Sequence, residues 1–324
     1  MSDKLIINVA LTGMVPTREQ TPHVPLTPAE IAEEARRCRD AGAGIVHLHA
    51  RDAEGRPTYR RSVYREILRA VRAKCPDIVL CASASGRIFT SFEERSEVLE
   101  LTDPAPEMAS LTLGSLNFAN EPSVNSPKMI RDLALKMQER GIVPEWECFE
   151  LGMIEYSHYL IRHGLLRPPH YCNILLGSLG TLSATPHNLS SAVAALPPGV
   201  TWAAAGVGRH QFAANSMAIA MGGHVRVGLE DNLWYDDART RLASNAEFVE
   251  RVVQIGRASG REPATPGEAR RIIGLTTPSP APSFCPETNL RRRAGAADGA
   301  CLTPAESPPP APSAHRRGTP RRSH

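Results

Sequence analysis

Two histidines separated by a single residue, His47 and His49, stand at the end of a short apolar stretch that begins at Gly44. Apolar, β-branched stretches of this length predict a strand, and alternate side chains of a strand project to the same face. The two imidazoles would therefore share a face, as two ligands of one metal ion must. A lone histidine is more often a hydrogen-bonded core residue, but a pair on one strand face favours a metal site.

A carboxylate that could join the histidines follows a second stretch of the same form, Val225 to Gly228. Glu230 comes two residues later, and two imidazoles with one carboxylate leave a coordination position open, as in catalytic Zn²⁺ sites. Fe²⁺ accepts the same ligand set. Arg226 would lie on the strand face of Glu230, whereas Asp231 would point towards the loop. A surface cluster of charges is the alternative interpretation of these three residues.

Small residues and serines also stand at predicted strand ends. Gly206, Gly208 and Arg209 follow the predicted seventh strand, where backbone N–H groups and an arginine could bind a phosphate, although a lone G-x-G is a weak signal. Ser83 and Ser110 end the third and fourth predicted strands. They could bind a substrate carboxylate or relay a proton, or they could cap helices.

The elements that must position these residues alternate regularly along the chain. Eight apolar stretches are each followed by an amphipathic one, and strict βα alternation predicts a parallel sheet. Eight such units match a single-domain (β/α)₈ barrel (TIM barrel), whose active site lies at the C-terminal ends of the strands. The alternative, an open doubly wound sheet, would need a glycine-rich turn after the first strand, which residues 12–17 do not provide.

The boundaries of these elements follow from apolar periodicity and from helix start signals. Thr27, Pro28 and Glu30 form a capping-box sequence with proline at the first helical position, which predicts a helix start. The predicted strands span residues 5–11, 44–50, 78–82, 108–112, 143–148, 171–176, 200–205 and 225–228. The predicted helices span residues 27–41, 62–74, 92–101, 127–140, 152–163, 189–196, 212–221 and 239–259.

The composition of the 324 residues is that of a globular protein, with 42% apolar and 22% charged residues. No stretch approaches the ~20 apolar residues of a membrane helix. The first apolar stretch resembles a strand more than a signal peptide, so we predict a cytoplasmic protein. The seven cysteines contain no C-x-x-C pair, which predicts reduced, mostly buried thiols.

The amino-acid composition changes near residue 276, after which proline, alanine, serine and arginine dominate. We predict a catalytic barrel domain over residues 1–275 and a disordered tail over residues 276–324. Residues 281–324 contain seven arginines against three acidic residues, so the first 280 residues carry a net charge of −1 although the whole chain carries +3. A nearly neutral body offers no electrostatic case for nucleic-acid binding.

Several of these motifs together resemble those of the β-keto acid cleavage enzymes, of which 3-keto-5-aminohexanoate cleavage enzyme is the type member. The resemblance runs from about Leu5 to Leu275 and leaves the tail outside. It is carried by His47-Leu48-His49-Ala50-Arg51, Pro106-Glu107-Met108-Ala109-Ser110, Glu150-Leu151-Gly152-Met153-Ile154, Ala205-Gly206-Val207-Gly208-Arg209-His210-Gln211 and Gly222-Gly223-His224-Val225-Arg226-Val227-Gly228-Leu229-Glu230-Asp231-Asn232.

The resemblance implies a Zn²⁺-dependent (β/α)₈ enzyme that forms a homo-oligomer, a tetramer in this family. Such enzymes condense a β-keto acid with acetyl-CoA and release acetoacetate and a new acyl-CoA, through enolate and retro-Claisen steps. Carried onto this chain, the zinc ligands would be His47, His49 and Glu230.

The resemblance also implies roles for the neighbouring residues. Asp231 would be the base, tuned by Arg226 and Ser83, and Ser110 would help to seat the substrate. The loop from Gly206 to Gln211 would fit a phosphate of CoA. A metal-dependent aldolase or decarboxylase that does not use CoA, and a non-catalytic barrel that binds acyl-CoA, are the alternative functions.

One departure from the resemblance concerns the substrate. Family members that act on an amino-substituted keto acid carry a glutamate in the loop after the first strand, and Met14 stands there in this chain. An apolar side chain cannot pair with an ammonium group, so we expect a substrate whose distal end is neutral or apolar. Arg18 could instead recognise an anionic distal end if the loop brings it inward.

Overall fold

The fold is a closed barrel of eight parallel strands, as the βα alternation predicts. We describe it from a computed structural model, in which residues 4–119 and 121–276 are described. The predicted tail lies outside the described residues. The barrel strands are β1 (Ile7–Ala10), β2 (Ile45–Leu48), β3 (Val79–Ala82), β4 (Met108–Thr112), β5 (Val143–Cys148), β6 (Tyr171–Leu176), β7 (Thr201–Gly206) and β8 (His224–Val227). Each strand pairs in parallel with the next, and β8 pairs with β1 to close the ring.

Helices surround the barrel and follow its strands. They are α1 (Pro28–Ala41), α2 (Arg61–Lys74), α3 (Phe92–Ser96), α4 (Pro127–Glu139), α5 (Leu151–Arg162), α6 (Pro186–Ala195), α7 (Gln211–Ala220), α8 (Asn245–Ala258) and α9 (Pro266–Ile273), with 3₁₀ turns at Glu97–Glu100 and Gly208–His210. The capping box predicted for α1 is confirmed, since Thr27 accepts from the N–H of Glu30 and the Glu30 side chain accepts from the N–H of Thr27. Short two-residue strands lie outside the barrel at Lys4–Leu5, Ala50–Arg51, Pro57–Thr58, Leu116–Asn117, Pro122–Ser123 and Glu262–Pro263.

The helix predictions contain one wrong start and one omission near the C-terminal part of the barrel. The last long helix was predicted from residue 239, but α8 begins at Asn245, because Ser244 caps it with Glu247 and the Asp236 carboxylate instead holds the N–H groups of Thr240 and Arg241. Helix α9 was not predicted at all. It packs Ala269 and Ile273 against inward-facing strand residues such as Ile45 and Met108, which covers the N-terminal end of the barrel.

The opposite end of the barrel carries polar side chains in its interior. Fully buried polar residues occur on six of the strands: Asn8 on β1, His47 on β2, Ser110 on β4, Glu145 on β5, Asn173 on β6 and Arg226 on β8. A buried polar group costs free energy unless it is hydrogen-bonded, so such a concentration inside one barrel needs a connected network. The strand order places β8, β1 and β2 side by side, which brings the segment after β8 next to the histidines of β2.

The predictions for the cysteines and for membrane helices can be compared with the described residues. Cys38, Cys75, Cys81, Cys148 and Cys172 are free and buried, as predicted, while Cys285 and Cys301 lie outside the described residues. Within residues 4–119 and 121–276, no helix is both long and apolar enough to cross a membrane.

Candidate active site and metal centre

Three potential metal ligands converge at the C-terminal end of the barrel. The Nε2 atoms of His47 and His49 lie 3.3 Å apart, and Glu230 Oε2 lies 3.8 Å from the first and 3.2 Å from the second. The shared face predicted for the two histidines is therefore confirmed. These three residues form one of the two side-chain groups, within the described part of the chain, whose atoms are close enough to hold an ion.

Glu145 fixes the orientation of His47 and was not predicted from the sequence. Its Oε2 lies 2.6 Å from His47 Nδ1 and accepts from Cys81 Sγ at 3.2 Å, and its Oε1 accepts from Asn8 and Asn173. Burial alone would raise the pKa of Glu145, but His47 and Arg226 outweigh that effect and lower it to about 2. A neutral His47 that directs its Nδ1 proton at this carboxylate would present a lone pair on Nε2 to the centre of the group.

The donor set fits a cation. Two imidazole Nε2 atoms and a carboxylate oxygen face one another within 3.8 Å. Glu230 Oε2 is buried and accepts no hydrogen bond from the described residues. When neither Nε2 atom carries a proton, as in histidines that bind a metal, these three electron-pair donors repel one another, and a positive ion would relieve that repulsion. Two histidines and a carboxylate with a cavity beside them are the ligand types of catalytic Zn²⁺ sites.

A single buried arginine joins the carboxylates of this end of the barrel. Arg226 is 1% exposed and lies 3.1 Å from Glu147 Oε1, 2.9 Å from Glu230 Oε1 and 3.0 Å from Asp231 Oδ2. Burial would lower the pKa of Arg226, but Asp231, Glu230 and Glu147 outweigh it, so the guanidinium stays charged. The interpretation of Arg226, Glu230 and Asp231 as a surface cluster is wrong, because Arg226 is buried inside the barrel.

Asp231 has the environment of a potential base. Burial and the charge of Glu230 raise its pKa, against the opposing effect of Arg226. Its backbone is also held, since Asp231 O accepts from Gly208 N at 2.7 Å. A carboxylate with a raised pKa in a cavity is better matched to proton transfer near neutral pH than an ordinary aspartate is.

The backbone around Glu230 leaves little room for movement. Gly13 adopts φ +66°, and a Cβ atom at this position would lie 2.7 Å from Glu230 Cγ and 3.0 Å from its Cα. The Gly13 carbonyl accepts two hydrogen bonds from the buried Arg51, at 2.7 and 3.1 Å. Arg51 thus holds the loop after β1 against the third potential ligand.

A cavity of about 420 Å³ opens above these residues. Of the residues that the sequence singled out, His49, Glu230, Asp231, Arg226, Ser83, Met14 and Gly208 line it. Ser110 does not line it, since it is 1% exposed and its hydroxyl accepts from Ala84 N, which supports the loop that carries Ser83. Within residues 4–119 and 121–276 no hydrogen bond joins Ser83 to Asp231 or Arg226; its hydroxyl accepts from Ser85 N.

The glycines after β7 have structural contacts of their own. A Cβ atom on Gly206 would lie 2.2 Å from His210 O, so only glycine fits here. The backbone N–H of Gly208 donates to the backbone carbonyl of Asp231. Arg209 is exposed and lies at a second cavity of about 640 Å³ that shares Asn232 with the first. A phosphate-binding role for Gly206, Gly208 and Arg209 stays a prediction.

Sequence reasoning missed two carboxylates and one cation of this region. Glu145 and Glu147 stand at alternate positions of β5, and this spacing could have indicated that both face the barrel interior. Thr112 donates to Glu147 at 2.7 Å. Arg87, in the loop after β3, also lines the cavity and had no distinguishing signal in the sequence.

Known proteins share much of this chain's sequence. The chain is 43% identical over 276 residues to a 3-keto-5-aminohexanoate cleavage enzyme of Fusobacterium nucleatum, an alignment that covers 85% of this chain and 99% of that protein. It is 34% identical to a 3-oxoadipate:acetyl-CoA acetyltransferase of Cupriavidus necator, over 85% of this chain and 96% of that protein.

A solved structure titled "Apo structure of ObcA" shares the fold, with a TM-score of 0.69, 24% identity, and coverage of 78% of this chain and 66% of that chain. The family model described as "beta-keto acid cleavage enzyme" matches residues 4–275, which spans every strand of the barrel and every residue of the site. The motifs that suggested this resemblance are thus part of a match along the whole described fold, and the chain belongs to the beta-keto acid cleavage enzyme family.

Proposed function

We propose that this chain is a Zn²⁺-dependent enzyme that exchanges acyl groups between a β-keto acid and acetyl-CoA. The observation that carries the proposal is the convergence of His47, His49 and Glu230 beside the buried Arg226 and its partner Asp231, at one cavity. The overall change is R–CO–CH₂–COO⁻ with acetyl-CoA to acetoacetate with R–CO–CoA, in which one C–C bond and one thioester bond form and one of each breaks.

The protein's own residues account for the proton chemistry. Asp231, a cavity-lining carboxyl group with a raised pKa, would remove a proton from the carbon between the ketone and the carboxylate of the keto acid. Arg226 lies 3.0 Å from the Asp231 carboxylate and would keep Asp231 directed at the cavity before and after the proton transfer. Zn²⁺ held by His47, His49 and Glu230 would supply positive charge where the keto and carboxylate oxygens become more negative.

The carbon–carbon chemistry then balances without a further reactant. The carbanion attacks the acetyl thioester and releases the CoA thiolate, which attacks the original ketone of the condensed product. Cleavage between that carbon and its neighbour gives the new acyl-CoA and acetoacetate, and the proton on Asp231 returns to the product. Ser83 lies at the same cavity, and we keep it as a residue that tunes this site. Met14 is proposed as a substrate-seating residue, and Ser110 is proposed to help seat the substrate indirectly, through the loop of Ser83 that it supports.

The remaining proposals concern the setting of the reaction. We propose acetyl-CoA as the co-substrate, with the loop of Gly206, Gly208 and Arg209 near one of its phosphates. We also propose a cytoplasmic homo-oligomer, with the barrel over residues 1–275 as the catalytic domain. The similarity to the acetyl-CoA acetyltransferase of Cupriavidus necator supports the choice of co-substrate.

An acetoacetate assay tests the proposed function. Purified protein would be incubated with acetyl-CoA and a panel of β-keto acids with cationic, neutral and anionic distal ends, beside Glu230→Ala and Asp231→Ala. We expect acetoacetate only when acetyl-CoA is present and both carboxylates are intact. Product formation without acetyl-CoA would instead indicate an aldolase or decarboxylase. Binding of acyl-CoA with no turnover of any keto acid, in protein shown to contain zinc, would indicate a non-catalytic barrel.

A further inference from the structure

A cavity-lining arginine, Arg87, has no carboxylate partner. It stands in the loop after β3, is partly buried, and stacks its guanidinium over the ring of Phe118 at 3.9 Å from the ring centre. Within residues 4–119 and 121–276 its side chain donates no hydrogen bond and forms no ion pair within 4.0 Å; Glu121 and Glu230 influence it only from farther away. Stacking occupies a face of the guanidinium and leaves its N–H edge available.

The carboxylates of the cavity already have positive partners. Glu147, Glu230 and Asp231 each lie within 3.1 Å of an Arg226 nitrogen. A divalent ion at the histidines together with Arg226 would carry three positive charges against these three negative ones, and Glu145, 4.0 Å from Arg226, adds a fourth negative charge outside the lining of the cavity. Arg87 lines the cavity but pairs with none of these carboxylates, and the exposed Arg239 adds a further positive charge at the rim of the same cavity. A desolvated arginine without an acceptor favours an anionic ligand.

The sequence suggested two positions for substrate recognition, Met14 and Arg18, and only the first of them lines the cavity. Met14 lines the cavity as expected and offers nothing to a cation. Arg18, the alternative expected to recognise an anion, is an exposed residue whose guanidinium lies 2.5 Å from Glu30 on α1, and it does not line the cavity. Of these two loop arginines, Arg87 therefore contributes positive charge to the cavity and Arg18 does not.

We infer that Arg87 is a specificity-determining residue that receives an anionic group of the substrate, namely a second carboxylate at the distal end of the β-keto acid. This inference rests on the proposed function for the first carboxylate and ketone, which sit at the metal end of the cavity. It replaces the expectation of a neutral or apolar distal end. The phosphates of acetyl-CoA are the other anions that enter this cavity, and the experiment separates the two sources.

The first arm measures binding without turnover. Zinc-loaded protein is titrated by calorimetry with dicarboxylates of three to six carbons and with the monocarboxylates of matching length. Arg87→Met removes the charge and Arg87→Lys keeps it. Arg60→Met is the matched control, because Arg60 also stacks on an aromatic ring, Tyr59 at 4.8 Å, but lies outside the cavity.

We expect at least one dicarboxylate to bind wild type about 10- to 100-fold more tightly than its monocarboxylate, as a hydrogen bond to a charged group would give. Arg87→Met should abolish this advantage, Arg87→Lys should retain part of it, and Arg60→Met should retain all of it. No advantage in wild type, or an advantage that survives Arg87→Met, overturns the inference.

The second arm measures turnover. Arg87→Met should lower kcat/KM for 3-oxohexanedioate about 10- to 100-fold and leave kcat/KM for 3-oxohexanoate and the KM for acetyl-CoA nearly unchanged. A raised KM for acetyl-CoA with an unchanged preference between the two keto acids overturns the carboxylate assignment and gives Arg87 to the CoA phosphates. If no keto acid is turned over but the dicarboxylate advantage in binding depends on Arg87, the proposed function fails and the anion site stands.

Discussion

Replacement of Gly13 by alanine should weaken zinc binding although Gly13 is not a metal ligand. Gly13 is not a ligand and has no side chain, yet a Cβ atom there would overlap Glu230 at its Cγ, Cβ and Cα. The glutamate cannot escape by a change of rotamer, because part of the overlap is with its backbone. Gly13 in turn cannot retreat easily, since Arg51 holds its carbonyl with two hydrogen bonds.

Gly141 has a similar backbone conformation to Gly13 and shows how much of the cost of alanine comes from the overlap with Glu230. Gly141 has φ +68°, close to the +66° of Gly13, but nothing lies within 4 Å of its Cβ position. Alanine in this left-handed conformation costs about 1–2 kcal/mol at either site. Overlap adds about 1–3 kcal/mol at Gly13 alone. If the overlap is relieved by a shift of Glu230, zinc affinity should fall about 10- to 100-fold, as it does when the support of a metal ligand is lost.

The assay compares Gly13→Ala with Gly141→Ala. Zinc affinity is measured by competition with a chromophoric chelator, and the free energy of unfolding is measured by urea titration of the metal-free proteins. Both variants should be destabilised, Gly13→Ala more so, and only Gly13→Ala should bind zinc more weakly. Equal zinc affinity in Gly13→Ala and Gly141→Ala would show that the contact with Glu230 does not support the ligand, and the reasoning would be refuted.

Three further variants test other parts of the structure. Glu145→Gln should weaken zinc binding about 10- to 100-fold, measured by the same competition, because His47 loses the carboxylate that orients it; unchanged affinity would contradict that role. Arg226→Met should lower the free energy of unfolding of the metal-free protein by about 3–5 kcal/mol, since it strands buried carboxylates, and an unchanged urea midpoint would argue against it. His224 accepts a hydrogen bond from Ile6 N, and burial lowers the pKa of His224 from 6.5 to about 3. As the pH falls, this histidine is therefore protonated in the unfolded chain before it is protonated in the folded one, and the free energy of unfolding falls between pH 6.5 and pH 3. Between pH 7 and pH 5 this loss should be about 2 kcal/mol and should be absent in His224→Asn; equal losses in both proteins would contradict it.

The sequence carried enough information for the barrel because its signals are local. Each strand is a short apolar stretch, and each helix has its own periodicity, so eight alternating units could be counted without any knowledge of long-range contacts. The errors fall where local signals compete. The segment from residue 239 is periodic enough for a helix, but the Asp236 side chain binds its N–H groups, and Ser244 with Glu247 makes a stronger start. Helix α9 is short, and it depends on apolar contacts at the end of the barrel.

The site could be predicted only in part. The spacing of His47 and His49 is a local signal, and the strand count correctly brought Glu230 beside them. The contacts of Glu145 and Arg87 are not local, because each depends on which strands and loops meet inside the closed barrel. Arg18 and Arg87 look alike as residues in loops after strands. Only the packing shows that one is paired with Glu30 and the other faces the cavity.

The central claim is that the acetyl group of acetyl-CoA is transferred to the carbon of the keto acid next to its carboxylate. The most direct measurement is ¹³C NMR of the reaction of zinc-loaded protein with [1-¹³C]acetyl-CoA and an unlabelled β-keto acid from the panel. We predict that the label appears in the keto carbon of acetoacetate, and that the new acyl-CoA stays unlabelled. Unlabelled acetoacetate, or a keto acid that is consumed while labelled acetyl-CoA remains intact, would contradict the account.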